Sequence, residues 1–432
     1  MNLTKKRQLL IEILIVLLLT NYMFVTVVLK DNIIFKYLRD IVLITLVVTL
    51  FYNNNLKTKY NKITIAFMVF LVCSVTGIIQ SDSLKIVILV LRRYLLPIMV
   101  LFLISRFNFQ GKEAGLFKFI FLLVIILSIF GVFQAQILGD NFLRKLGYPV
   151  EYSYAYGRDM LYNSFYFGGL GIQRVVATLS SSNICGVAFG TSLLYFLICN
   201  RYVTGIKYKK ICYIILLLGY LLTFSRSNFV AFFVVGIGLV WKYIPYKKYI
   251  ILGGVLAGIA VIAIGIIQGT DGIVYKLILW VQATLNMTES SAAGRSGIWK
   301  TAFAQTRKSP LGIGFGHVGA VGTNNDLVFS AENSYLTLAL DTGWLGAMSY
   351  ILALLLMAYK LKKKARFYGN NGDNKGKRLC LGGYAVIMYL MVVMFFSNHI
   401  QDMEIMALAY VYVGIGLAYI RYNGANRMIN NG

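Results

Sequence analysis

The sequence has 432 residues, of which 58% are hydrophobic and only 13% are charged. A mean hydropathy of +0.71 excludes a soluble globular protein of this size. The formal net charge is +26, but the basic residues lie between apolar runs, which favours a membrane topology signal over binding to nucleic acid. The chain is therefore predicted to be an integral membrane protein.

The apolar runs predict an all-α, polytopic membrane protein that forms one integral domain over residues 1–432. A bilayer core takes about 20 apolar residues per helix, so the runs correspond to about twelve transmembrane helices. The predicted spans are Leu9–Leu29, Ile33–Phe51, Ile63–Gln80, Leu84–Ile104, Leu116–Leu138, Thr178–Cys199, Ile211–Phe224, Asn228–Trp241, Tyr249–Ile267, Tyr335–Tyr359, Leu379–Phe396 and Met403–Ile420.

The distribution of charge predicts the orientation of these spans. Most of the 42 Lys and Arg residues, including the run Lys360–Lys364, fall in segments that the spans place on one side. Because basic loops stay in the cytoplasm, both termini are predicted to be cytoplasmic. Two long loops, residues 139–173 and the larger 268–334, then lie outside. Chemistry on a substrate at the membrane surface would fall mainly to these loops and the helix ends beneath them.

One apolar stretch reads as a helical hairpin. The run Ile211–Tyr243 is interrupted only at Ser225–Asn228, and both of its flanks are basic. Two basic flanks on the same side require an even number of crossings. The interruption is therefore predicted to be the outer tip of a hairpin, with Arg226 at that tip.

The second long loop carries four motifs in a fixed order. They are Gly294-Arg295-Ser296-Gly297-Ile298-Trp299, Pro310-Leu311-Gly312-Ile313-Gly314-Phe315-Gly316, Glu332-Asn333-Ser334-Tyr335-Leu336 and Asp341-Thr342-Gly343-Trp344-Leu345-Gly346. This order resembles the signature region of the superfamily of O-antigen ligases and Wzy-type polysaccharide polymerases. Thr223–Ser227 resembles the family's Ser-Arg hairpin tip, and Arg174–Asn183 a looser family segment. The resemblance covers roughly Arg174–Tyr350.

The resemblance implies a fold similar to the multi-helix GT-C glycosyltransferases. The sequence contains no visible cluster of metal ligands, so arginines are expected to do the work of a divalent cation, and no cofactor is expected. The donor and acceptor of the implied enzyme would be oligosaccharides linked to polyprenyl diphosphate, polymerised into O-antigen, capsular or exopolysaccharide. The site would face outward from a bacterial cytoplasmic membrane, and a chain-length regulator and a flippase would be further partners. One departure favours a polymerase: ligases carry a His before the Asn-Ser-Tyr segment, where this chain has Glu332.

The chemistry of that donor gives several residues expected roles. Arg226 and Arg295 would neutralise the departing diphosphate with the planar donor fork of their guanidinium groups, and Arg174 would support them. Glu332 would take the acceptor hydroxyl's proton or, alternatively, favour the start of the following helix through its charge. His317, Asn333 and Tyr335 are further expected substrate contacts. The glycines of the Pro310–Gly316 turn are expected to shape the backbone rather than to cradle phosphate.

Two polar groups lie outside the motifs. Arg92 and Arg93 fall near the middle of the fourth predicted span, where an arginine costs at least about 2.5–3.5 kcal/mol. They are expected to line a pocket that binds diphosphate; the alternative is that one reaches water while the other pairs with a carboxylate. His399, with Asp402 and Glu404, is expected to lie in a solvated turn.

Two other functions fit part of the pattern. A ligase would move a finished glycan to a different acceptor, and a flippase or transporter would carry the lipid-linked glycan across the membrane. Transporters place binding residues near the midplane and often contain two-fold repeats. Here the polar motifs share one face and one long loop, which favours an enzyme.

The topology predicts which positions can be reached from outside the cell. With the native cysteines replaced, Ser153→Cys and Asn286→Cys should react with a membrane-impermeant maleimide in intact cells. Lys363→Cys should react only after lysis, because it lies in a basic run that stays in the cytoplasm. Labelling of Lys363→Cys in intact cells would reverse the orientation, and with it the face on which the long loops lie.

Overall fold

The computed structural model describes residues 3–29, 33–53, 61–109, 113–153, 158–161, 165–167, 172–239, 241, 290–319 and 331–429. Within this part of the chain the structure is almost entirely helical. The helices are α1 (Leu3–Asn21), α2 (Ile33–Asn53), α3 (Lys62–Ile79), α4 (Leu84–Ser105), α5 (Glu113–Phe133), α6 (Gly139–Leu146), α7 (Ser182–Ile198), α8 (Lys209–Leu221), α9 (Arg226–Phe233), α10 (Ser290–Lys308), α11 (Ser334–Asn370), α12 (Asn374–Phe396) and α13 (Met403–Ile429). Single π-helical segments extend α1, α5 and α9, over Tyr22–Val28, Gln134–Leu138 and Val234–Leu239.

The predicted spans agree with these helices. Every predicted span falls on a helix except Tyr249–Ile267, which lies outside the described residues. Six described segments are long and apolar enough to cross a membrane: Lys62–Ile79, Leu84–Ser105, Ala114–Leu146, Ser334–Asn370, Asn374–Phe396 and Met403–Asn423. The all-α membrane class is thereby confirmed, whereas the count of about twelve crossings stays a prediction.

The first long loop folds into short elements of its own. Gly139 has a φ of 68° and bends the chain into α6. Two antiparallel hairpins follow, β1 (Val150–Ser153) with β2 (Arg158–Leu161) and β3 (Tyr166–Phe167) with β4 (Ile172–Gln173). The second hairpin leads directly to Arg174, whose backbone amide donates to the carbonyl of Phe165 at 2.9 Å. The loop thus fixes the entry to α7.

The second long loop contains a helix that the apolar pattern of the sequence does not predict. Helix α10 runs from Ser290 to Lys308 and contains both Arg295 and Trp299. Residues 268–289 and 320–330, and with them Asn286, lie outside the described residues. The motif around Arg295 is therefore helical rather than an extended loop.

Helix α12 is the centre of the described bundle. It packs against α7, α9, α11 and α13, while α11 also packs against α3, and α13 against α4. Most of its length is buried, and Gly190 of α7 lets the two helices approach so closely that an added Cβ would collide with the hydroxyl of Tyr389. A buried position of this kind lets α12 hold segments from several parts of the chain.

The glycine-rich turn fits into a crevice beside a kink in α11. Gly343 has φ 76° and interrupts the helix, and the amide of Trp344 donates instead to the carbonyl of Pro310 at 3.0 Å. A Cβ on Gly312 would lie 2.8 Å from the Leu340 carbonyl oxygen, and one on Gly314 would lie 2.5 Å from that of Gln80. The crevice therefore requires glycine, as expected of a structural turn.

Candidate active site

The predicted hairpin break is present at the start of α9. Helix α8 ends at Leu221 and α9 begins at Arg226, with Ser225 in extended backbone geometry at the N-cap position. Phe224 has a φ of 46°, a left-handed conformation that is uncommon for a bulky residue. Arg226 is half-buried at the first helical position. The tip thus presents a guanidinium group at a helix N-terminus.

Arg174 holds the tip in place. Its Nε donates to the Thr223 carbonyl at 2.8 Å, and its Nη2 donates to the Phe224 carbonyl at 3.3 Å and to Asn183 Oδ1 at 2.8 Å. The carbonyls of Thr223 and Phe224 lie between the end of α8 and the start of α9, where a helix end leaves carbonyls without a helical partner. These bonds of Arg174 position the backbone that leads into Arg226, while its expected contact with the substrate stays a prediction.

Asn228 links the tip to the bundle. Its Nδ2 donates to the Asn183 carbonyl at 3.0 Å and to Ser225 Oγ at 2.7 Å. Its Oδ1 accepts from the hydroxyl of Tyr389 on α12 at 2.8 Å, and its carbonyl accepts from the hydroxyl of Tyr220 at 2.6 Å. The side chain is fully buried. A satisfied buried amide of this kind fixes the tip relative to α7 and α12.

Helix α10 docks near the same end of α12. Trp299 Nε1 donates to the carbonyl of Glu332 at 3.4 Å, and the indole ring meets the ring of Phe395 edge-on at 5.4 Å between centroids. Arg295 lies one turn earlier on this helix; its backbone is described, whereas its side chain lies outside the described part of the chain. The docking of Trp299 therefore places the backbone of Arg295 near the Glu332 segment.

Asn333, not Glu332, is the N-cap of α11. Its Oδ1 accepts from the amides of Tyr335 at 2.9 Å and of Leu336 at 3.1 Å, which is the ordinary bonding of a cap residue. Glu332 precedes the cap in a left-handed conformation, with a φ of 41°. Asn333 thus occupies the N-cap position, and the roles expected of Glu332 stay predictions.

The same segment is pinned to α12. Asn333 Nδ2 donates to the carbonyl of Phe395 at 2.8 Å, and the hydroxyl of Tyr335 donates to that of Met391 at 2.6 Å. Met391 and Phe395 lie beyond Tyr389 toward the C-terminal end of α12. Because Tyr389 holds Asn228, both the hairpin tip and the Glu332 segment converge on this end of α12. The polar groups of Asn333 and Tyr335 are thus used in hydrogen bonds that hold the Glu332 segment against α12.

The described partners of Arg92 and His317 lie outside the hairpin tip and helix α10. Arg92 Nη2 forms an ion pair with Asp40 Oδ2 at 2.6 Å, the predicted alternative in which one of the two arginines pairs with a carboxylate. Arg93 is half-buried beside it on α4. His317 Nε2 lies 3.7 Å from Asp82 Oδ2, near the start of α4. Within the described residues, α4 has no major packing contact with α9 or α10.

The loop between α12 and α13, residues Ser397–Asp402, contacts the segment that follows Glu332, a contact that the sequence alone does not reveal. The solvated turn expected at His399 is wrong, because only 3% of His399 is exposed. Its amide donates to Ser334 Oγ at 2.9 Å, two residues from Glu332. The sequence signal was a histidine with a carboxylate three residues later, a pair too common to be informative alone.

An apolar groove opens beside the Glu332 segment. Its volume is about 430 Å³, and its walls come from α10, α11 and the end of α12. The lining residues are Trp299, Lys300, Phe303, Asn333, Tyr335, Leu336, Trp344, Ala347, Met348, Ile351 and Phe395. An apolar cavity with a few polar groups at one end is the usual form of a small-molecule site.

These features define a polytopic membrane protein with a polar site at one end of a helix bundle and an apolar groove beside it. Residues 211–351 match the family model described as O-antigen ligase, which confirms the predicted resemblance to the O-antigen ligase and Wzy superfamily. The match contains the hairpin, α10 and the Glu332 segment. It supports an enzyme of the O-antigen ligase or polymerase type that uses lipid-linked glycans. No curated protein matches the chain.

The bonds of Arg174 predict a stability effect that separates it from Arg226. Arg174→Gln should lower the free energy of unfolding by about 1–3 kcal/mol, because buried carbonyls lose their donors. Arg226→Gln should lower it less, since the carbonyls of Thr223 and Phe224 keep their bonds to Arg174 in that variant. Thermal unfolding of both purified variants in the same detergent measures the difference. Equal losses of stability in the two variants would contradict the conclusion that Arg174 holds the tip in place.

Proposed function

We propose that the chain is a membrane glycosyltransferase that polymerises oligosaccharide repeat units carried on polyprenyl diphosphate. The observation that carries the proposal is the convergence of the Arg226 tip, helix α10 and the Glu332 segment on the C-terminal end of α12. All three lie within the stretch that matches the O-antigen ligase family model. In the predicted topology this end faces outward, so the sugars would be joined on the outer face of a bacterial cytoplasmic membrane.

The arginines act on the leaving group. When the bond between the anomeric carbon and the phosphate oxygen breaks, negative charge develops on the diphosphate. Arg226, half-buried at the tip, and Arg295 on α10 supply fixed cations and paired N–H donors to that charge. A cation in a partly desolvated site stabilises it far more than one in water. Arg174 serves by holding the backbone under Arg226.

Glu332 is proposed as the base that takes the acceptor hydroxyl's proton. Its left-handed backbone, with φ of 41°, is uncommon for a residue other than glycine, and such conformations cluster at functional sites. The oxygen that loses the proton attacks the anomeric carbon as polyprenyl diphosphate leaves. A single displacement of this kind inverts the anomeric centre. Inversion would agree with a GT-C type enzyme.

The apolar groove suits the lipid carrier. Its aromatic and aliphatic walls begin at Asn333 and Tyr335, directly after Glu332, and continue along α11 to Ile351. A polyprenyl chain is apolar throughout, so part of its length can replace lipid contacts with the rings of Trp299 and Phe303. The diphosphate at the head of the chain would then lie at the polar end of the groove. This arrangement supports a lipid-linked donor.

Two alternatives are distinguished by their products. The glutamate at position 332 favours polymerase over ligase, whose family pattern has histidine there. Loss of a polymerase leaves single repeat units, loss of a ligase leaves long polymer on the carrier lipid, and loss of a flippase leaves units on the cytoplasmic face. Purified protein reconstituted with one lipid-linked repeat unit tests the proposal directly. A ladder of products on a gel supports it, and single units after full incubation overturn it.

Arg226→Ala and Arg295→Ala should each abolish or severely reduce ladder formation, because charge on the leaving diphosphate is no longer neutralised. Arg→Lys at either position should restore only part of the rate, since the bidentate fork is lost. Arg201→Ala, which removes an exposed arginine before α8, is the matched control and should keep the wild-type ladder. Normal ladders from either test variant, at equal protein level, would remove that arginine from the site.

Glu332→Gln should reduce turnover strongly while donor binding changes little, because the amide keeps the size of the side chain but not its basicity. Glu332→His should recover part of the rate if the two residue types do the same task. Glu151→Gln, an exposed glutamate of β1, is the control for loss of one charge. Turnover by folded, purified protein is the measurement, and a near-normal rate for Glu332→Gln would exclude the base role.

A further inference from the structure

The loop Ser397–Asp402 presents a histidine in a defined hydrogen-bonding state. His399 Nδ1 lies 2.8 Å from Asp402 Oδ2. A carboxylate only accepts hydrogen bonds, so Nδ1 carries the proton, and in the neutral ring Nε2 presents a lone pair. This Nε2 atom is buried and has no hydrogen-bond partner among the described residues. The ring is thus oriented by Asp402, with its accepting atom unused.

The position of His399 is fixed from several sides. Ser334 Oγ accepts from the amides of His399 at 2.9 Å and of Ile400 at 3.2 Å, and donates to the carbonyl of Ser397 at 2.9 Å. Gln401 Nε2 donates to Asp341 Oδ2 at 2.9 Å. These bonds fix the backbone of the loop, so the position of Nε2 is a fixed feature of the structure.

A second unused acceptor lies next to the first. Asn398 Oδ1 is buried and also has no hydrogen-bond partner in the described part of the chain. Most buried polar atoms in proteins are satisfied, so two consecutive residues with unsatisfied acceptors require an explanation. Both atoms accept hydrogen bonds, and a ligand that satisfies them must donate.

The two unused acceptors limit which part of the substrate can bind at this loop. A diphosphate has only accepting oxygens, so it cannot donate a hydrogen bond to Asn398 Oδ1 or to His399 Nε2. The Arg39 guanidinium, 3.3 Å from Glu404 Oε1, is already paired with that carboxylate. Sugar hydroxyls are neutral and donate hydrogen bonds readily. The acceptors therefore select sugar rather than diphosphate.

We propose that Asn398 and His399 form a sugar subsite, in which ring hydroxyls of the lipid-linked oligosaccharide donate to Asn398 Oδ1 and His399 Nε2. Asp402 is the positioning residue, because its bond to Nδ1 selects the ring tautomer in which Nε2 is the acceptor. The subsite adjoins Glu332 through Ser334, the residue that binds the loop and stands two positions after Glu332. The inference rests on the proposed function, because it assigns the sugar part of the same substrate.

The test compares two ligands: polyprenyl diphosphate alone, and polyprenyl diphosphate carrying the repeat-unit oligosaccharide purified from the source cells. For the purified full-length protein, the dissociation constant of polyprenyl diphosphate is divided by that of the oligosaccharide-bearing ligand. This ratio measures how much the sugar adds to the affinity. His399→Leu should reduce this ratio about 3- to 10-fold, as expected for loss of one net hydrogen bond. The affinity for polyprenyl diphosphate alone should stay unchanged.

Asp402→Asn provides a milder second variant. The asparagine amide can donate to Nδ1, which moves the ring proton to Nε2 and converts that atom from acceptor to donor. The sugar contribution should fall without removal of the ring, so the result stands even if His399→Leu does not fold. Asp373→Asn, at the opposite end of α12 and bonded to Tyr419 at 2.9 Å, is the matched control and should leave both affinities unchanged.

The outcomes separate the two proposals. If His399→Leu and Asp402→Asn keep the wild-type ratio, an ordered water rather than sugar satisfies Nε2 and the subsite is overturned. If both ligands weaken equally, the loop supports the fold or the diphosphate, and the subsite is again overturned. If wild-type protein binds neither ligand, the proposed function itself fails. Loss of the sugar contribution alone supports the subsite.

Discussion

A helix that breaks within a membrane protein leaves backbone groups that lipid cannot solvate, and this constraint governs the site. Each break described here has dedicated partners. Arg174 supplies donors to the carbonyls of Thr223 and Phe224 where α8 ends, and Asn333 supplies an acceptor to the first amides of α11. In hydrocarbon an unsatisfied group costs several kcal/mol. The polar residues that satisfy the breaks therefore also decide where functional side chains stand.

Helix α12 brings the hairpin tip and the Glu332 segment together in one site. The hydroxyl of Tyr389 holds Asn228, the carbonyl of Met391 holds Tyr335, and the carbonyl of Phe395 holds Asn333. Each bond is worth little alone in a membrane bundle, about 0.6 kcal/mol on average. Together they set the register of two segments that are about a hundred residues apart in sequence. Rigid support of this kind is what transition-state stabilisation by fixed charges requires.

Local sequence patterns were sufficient to predict the helices and the turns between them. Apolar run length gave the spans, and the basic flanks of Ile211–Tyr243 gave the hairpin whose second arm begins at Arg226. Glycines at positive φ were correctly expected to shape the turn beside Gly343. The order of motifs also led to the family that matches residues 211–351. All of these properties depend on neighbouring residues or on the polarity of one segment.

The sequence is least informative where contacts join distant segments. Arg92 pairs with Asp40 on another helix, and no local pattern identifies which carboxylate an intramembrane arginine meets. His399 is buried because Ser334, 65 residues earlier, binds its amide. Helix α10 is not predicted by the apolar pattern because its sequence is polar and contains no long apolar run. The first two cases depend on contacts between distant segments, which local propensity does not encode.

On the proposed function, the site must orient a substrate whose two halves have opposite hydrogen-bonding character. Diphosphate accepts hydrogen bonds and is anionic, whereas sugar hydroxyls donate and are neutral. The arginines stand on the hairpin tip and on α10, while the unused acceptors stand on the Ser397–Asp402 loop. A substrate bound in reverse would place phosphate against lone pairs and carboxylates. Repulsion in the wrong orientation, as well as attraction in the right one, then sets which end of the molecule reacts.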